Sequence, residues 1–68
     1  MKFFVQFSMD NAAFDGQPSE EVARILRQIA QRIEDEGDVP EFFTNCRDSN
    51  GNTVGTYAAK PDSYAVKE

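Results

Sequence analysis

Pro18-Ser19-Glu20-Glu21-Val22-Ala23-Arg24-Ile25-Leu26-Arg27-Gln28-Ile29-Ala30-Gln31-Arg32-Ile33-Glu34-Asp35-Glu36, followed by Gly37, is the stretch that decides the fold. Val22, Leu26, Ile29 and Ile33 recur at the spacing that returns to one face of a helix at 3.6 residues per turn. Ile25, Ala23 and Ala30 widen that stripe to roughly 160° of the helix circumference. Arg24, Arg27, Gln28, Gln31, Arg32 and Asp35 fill the remaining arc. The pattern predicts an amphipathic helix lying on an apolar surface with one face in water. Pro18 suits the first turn, where an N–H has no partner inside the helix, and Gln17 and Ser19 both qualify as N-cap. Glu20 and Glu21 sit at the favourable end of the helix dipole, with Arg24 one turn beyond Glu20 for an ion pair.

The helix ends against the expectation for its dipole. Glu34, Asp35 and Glu36 crowd the negative end, and Asp38 and Glu41 follow, making five carboxylates in eight residues. Solubility would be served equally well by spreading these charges. The cluster is therefore a candidate partner-binding end, to be weighed against a merely solvated one.

Outward from the helix the chain changes period. Phe3, Val5, Phe7 and Met9 alternate with Lys2, Phe4, Gln6 and Ser8, which predicts a half-buried strand. Asp10 to Gln17 reads as a loop, with Phe14 tucked against the start of the helix. Beyond Asp38-Val39-Pro40, strands are expected over residues 42–47 and 53–59, joined by Asp48-Ser49-Asn50-Gly51-Asn52. Asn-Gly between two strand-like runs is a hairpin signal. A three-residue loop Ser49-Asn50-Gly51 with a bulge sets Cys46 against Val54; a two-residue loop sets it against Gly55. The first is preferred, because the alternation of the two strands then agrees. Lys60-Pro61 closes the third strand.

The order strand, helix, strand, strand predicts an α+β fold. One helix packs on a three-stranded antiparallel sheet ordered first–third–second, in a single domain over residues 1–60, with 61–68 a loosely held tail. The expected core is Phe3, Val5, Phe7, Val22, Leu26, Ile29, Ile33, Phe42, Cys46 and Val54. Phe4, Phe43 and Tyr57 are then left on the open side of the sheet, where they form a second candidate binding surface unless the tail covers them through Tyr64 or Val66.

A chain of 68 residues buries only about 60% of its unfolded surface, and one cysteine gives it no internal cross-link. The lone Cys46, the lack of a leader-like apolar run and the lack of a spanning segment point to a soluble cytoplasmic protein. A net charge of −5, from twelve acids and seven bases, disfavours direct nucleic-acid or acidic-membrane binding, even with Arg24, Arg27 and Arg32 on the wet helix face.

There is no histidine, so Ser–His and Cys–His nucleophile pairs are unavailable. No set of ligands for zinc and no Gly-rich phosphate loop is present. Asp48, Asn50 and Asn52 match the opening of a calcium loop. Thr53 then stands where glycine is needed and Ala59 where the bidentate glutamate is needed, so a hairpin turn explains them better. The expectation is a chain without catalytic residues, metal or cofactor.

Three stretches carry a resemblance: Asp10-Asn11-Ala12-Ala13-Phe14, Glu21-Val22-Ala23-Arg24-Ile25-Leu26-Arg27, and Arg47-Asp48-Ser49-Asn50-Gly51-Asn52-Thr53-Val54-Gly55. Together they resemble a family of short, uncharacterised phage-encoded proteins over most of residues 3–56. Residues 42–46 and the tail after Ala59 lie outside the pattern. The motifs are structural and bring no active-site residues with them. The resemblance implies a phage accessory protein, and such proteins include inhibitors of host or defence proteins. To anti-CRISPR proteins the chain is similar only in size and charge. The expected function is a non-enzymatic binding protein that occupies a host protein's surface. The alternative is a small self-associating accessory protein, a homodimer being its simplest form.

Overall fold

A computed structural model describes residues 1–64. Strand β1 (Lys2–Phe7) leads through a 3-10 turn (Ala12–Phe14) to helix α1 (Pro18–Glu36). Strands β2 (Thr44–Arg47) and β3 (Thr53–Lys60) follow. The strands form one antiparallel sheet in the order β1-β3-β2, and α1 covers one face of it: the α+β fold expected. Val66, a candidate cover for the open sheet face, lies outside the described residues. Among the described residues no helix is long and apolar enough to cross a membrane.

Phe14, Ile25, Ile29, Cys46 and Tyr57 form the buried cluster, with Val5, Phe7, Ala13, Val22, Ile33 and Val54 packed around it. Phe14 tucks in as expected and stacks on Phe7, ring centroids 6.2 Å apart. Three expected core residues are not there. Leu26 is 46% exposed while its neighbour Ile25 is wholly buried. The helix is docked by Ile25 and Ile29, so the buried arc lies to one side of the apolar stripe's centre. The bonds that hold it there are polar. Arg24 Nη2 donates to the Arg47 carbonyl at 3.0 Å, and Glu21 accepts the Ser49 N–H at 2.7 Å. Both draw α1 toward β2 and leave Leu26 on the opposite side. Phe3 keeps the helix side of the sheet but stands at its end, half exposed. Phe42 is 84% exposed, because β2 begins only at Thr44. The Ala59 N–H is taken by the Pro40 carbonyl at 2.8 Å, and residues 41–43 bend away from β3.

The hairpin realises both registers in turn. At the loop, Asp48 donates to the Asn52 carbonyl and Gly51 to the Asp48 carbonyl, each at 3.0 Å. Gly51 takes φ +85°, the left-handed conformation expected of a three-residue loop. Arg47 opposes Thr53, but Cys46 opposes Gly55 and Thr44 opposes Tyr57, so a bulge leaves Val54 unpaired. Cys46 therefore faces Gly55, not Val54. The bulge has a packing reason: it lets Val54 and Tyr57 both join the helix side with Cys46. Tyr57, expected on the open face, is 1% exposed in the core, paired with Val5 on β1.

Candidate functional site

All five carboxylates of the acidic end, Glu34, Asp35, Glu36, Asp38 and Glu41, are exposed. Gly37 donates its N–H to the Ile33 carbonyl at 3.0 Å and ends α1, so the acids leave the helix at its negative pole, where no basic residue occupies the last turn. Asp35 accepts from Gln31 Nε2 at 2.9 Å and Asp38 from the Val39 N–H at 2.8 Å. Among the described residues none of the five enters an ion pair; the pairs there are Met1 amino with Asp62 and Arg24 with Glu21. The expected pairing of Arg24 with Glu20 is replaced by one with Glu21.

Beside this segment lies a surface that the sequence does not announce. Met1, Lys2, Phe3, Ile33, Val39 and Ala59 line a shallow, almost wholly apolar groove of about 440 Å³. Ile33 adjoins Glu34, and Val39 sits between Asp38 and Glu41. Phe42 projects at the neighbouring hollow, with Met1, Glu41, Lys60 and Pro61. The signal was present as Val39 and Phe42 interspersed among carboxylates without a strand or helix period, but nothing in the sequence placed Met1 and Phe3 beside them.

The open sheet face is organised differently from the expectation. Phe4 and Phe43 are brought together by Tyr64, whose ring centroid lies 5.5 Å from Phe4 and 6.1 Å from Phe43. The Lys60 ammonium stands 4.7 Å from the Phe43 centroid. Ala58, opposite Phe4 on that face, is wholly buried. These rings largely satisfy one another, and Tyr57 is not among them.

The 3-10 turn, the first turns of α1 and the hairpin loop converge on one polar node. Asp48 Oδ2 accepts from Asn11 Nδ2 at 2.6 Å, and Asp48 Oδ1 accepts the N–H groups of Asn50 and Asn52, each at 2.9 Å. Arg24 Nε donates to Glu21 Oε1 at 2.9 Å. Asp48 and Glu21 are both buried. Burial raises the Asp48 pKa, but hydrogen bonds from the Asn52 backbone and the Asn11 side chain outweigh it and hold the carboxyl below its ordinary value. For Glu21 the Arg24 hydrogen bond dominates, opposed by burial and assisted by Ser49, again with a net lowering. The oxygens of Asp48 are spent on protein donors, so the node ties the hairpin loop to the 3-10 turn and serves the fold. Arg24 is committed to it and unavailable as one of three phosphate-gripping arginines. Cys46 is buried, and desolvation pushes its thiol pKa up, away from nucleophilic use.

A hollow at the start of α1 is wide open and lined by Asp15, Glu20 and Glu21 together with Arg24 and Arg27, so its charges are mixed, and Arg24 is already bound to Glu21. Comparison with protein-family models, with curated proteins and with solved structures found no match.

Proposed function

We propose that this chain is a non-enzymatic binding protein, phage-encoded as its motifs imply, that acts by occupying the surface of a host protein. One observation carries the reading. Val39 and Phe42 are exposed within the segment that carries five exposed carboxylates with no ion-pair partner among the described residues, and Val39 lines an apolar groove with Ile33 and Phe3. Exposed apolar surface rimmed by charge is the usual form of a protein-binding site, and a desolvated aromatic is its usual anchor. The rim's sign selects a partner with a basic rim around an apolar patch, such as a surface that otherwise holds nucleic acid.

Capture from host lysate by tagged protein tests this when three chains are compared. The Glu34→Gln, Asp35→Asn, Asp38→Asn triple variant and the Phe42→Ser variant should each lose the partner that the unaltered chain retains, and retention should fall steeply with added salt. Equal capture by all three chains contradicts the assignment of this surface.

A further inference from the structure

β1 ends the sheet, and its outer edge carries a row of backbone groups with no partner strand among the described residues. The alternation of the ladder says which groups these are. Ser8 donates its N–H to the Val54 carbonyl at 2.9 Å, in register with the rest of the β1–β3 pair. Phe4 and Gln6, two and four residues back, therefore also bond toward β3. The N–H and C=O of Phe3, Val5 and Phe7 point away from the sheet. β2, the other edge, is four residues long and bulged, features that discourage pairing. β1 is regular over six residues and carries a single charge, Lys2. It also has apolar flanks on the helix side: Phe3 and Met9 are exposed, and α1 turns the exposed Leu26 away from β2.

We propose that β1 pairs with β1 of a second copy of this chain, antiparallel about a two-fold axis at Val5, joining the two sheets into one. Side chains directly opposite must share a face, which restricts the register. Centring on Val5 sets Val5 against the partner's Val5 and Phe3 against the partner's Phe7, and each of these pairs exchanges both backbone bonds. Every outward group of β1 is then satisfied, whereas centring on Phe4 sets Phe7 against the partner's Met1, which lies outside the strand and whose amino group is held by Asp62. The same register sets Lys2 against the partner's Ser8. Ser8 Oγ donates to Asp10 Oδ2 at 2.8 Å, so Lys2 faces a carboxylate across the joint, twice by symmetry. The helices lie on the same side of the joined sheet, and Phe3, Val5 and Phe7 of both copies form an apolar floor between them. Phe42 follows Pro40, on the side of β3 away from the joint, and stays free.

Sedimentation velocity at about 100 μM, well above a micromolar Kd, should give twice the 7.7 kDa chain mass. Amide exchange should show Phe3, Val5 and Phe7 protected at that concentration and released on dilution, with Phe4 and Gln6 protected in both. Val5→Pro removes an N–H that β3 does not use, so it should give a folded monomer. If that variant unfolds, the charge exchange decides. Lys2→Glu and Asp10→Lys should each weaken the dimer about tenfold over the two symmetry-related pairs, and the two together in one chain should restore it. A monomer at 100 μM, fast exchange at Phe3, Val5 and Phe7, or a double exchange that fails to restore association overturns the proposal. Phe42→Ser should leave the dimer mass unchanged, so loss of host-protein capture and loss of dimer are read separately.

Discussion

Ile25 and Leu26 are neighbours of nearly equal volume, yet one is wholly buried and the other is nearly half in water. Ile25→Ala should lose about 2–5 kcal/mol, the range for emptying a packed aliphatic site. Leu26→Ala should cost about 1 kcal/mol or less. Paired thermal melts check both, and the reverse order would mean that α1 docks by the centre of its apolar stripe. Periodicity finds that stripe because it counts every apolar position alike. It does not find the direction of docking, which the bonds from Glu21 to Ser49 and from Arg24 to Arg47 select. Those residues read as surface charge in the sequence, since their partners lie more than twenty positions away. Phe42 and Tyr57 were misplaced for related reasons: one by the bend at residues 41–43, the other by the bulge at Val54.

Helix and hairpin are each legible alone, down to the bounds of α1 and the Asn50-Gly51 turn, because local periodicity and turn chemistry specify them. The bulge is not legible, because it depends on what β3 meets on both sides. Gly55 marks the place. It opposes Phe7 on one side and Cys46 on the other, and a Cβ there would run into the Gln6 carbonyl and the Phe7 backbone. Gly55→Ala should destabilise by about 1–3 kcal/mol or more, read by urea denaturation. The node joining loop, 3-10 turn and α1 adds a pH dependence. Glu21 and Asp48 both titrate below their ordinary values in the folded chain. The folded state thus binds fewer protons than the unfolded one. The stabilisation is complete above the unfolded carboxylate range and is lost as pH falls through the lowered folded values. Urea midpoints should therefore decline between about pH 5 and pH 2, and the decline should be shallower in Asp48→Asn. An unchanged slope would remove the node from the account of stability.

At the scale of the molecule, a small sheet covered by one helix leaves much apolar surface in view, and the fold distributes it unevenly. The open sheet face closes on itself through Phe4, Phe43, Tyr64 and Lys60. The regular outer edge of β1 is where we propose that a second copy pairs. The acidic end is where apolar side chains and uncompensated charge stay together. Its charges were readable in the sequence, whereas its groove is assembled from Met1, Phe3, Ile33 and Val39, which only the tertiary fold brings into one place. Phe42→Ser should leave the melting temperature unchanged within about 0.5 kcal/mol of stability, as expected for a side chain that folding does not bury. The most direct test of the central claim is an NMR map of isotope-labelled chain titrated with the captured host protein. The account predicts shifts concentrated at Ile33, Val39, Phe42 and the amides of residues 34–41. Shifts confined to Phe4, Phe43 and Tyr64 would contradict it.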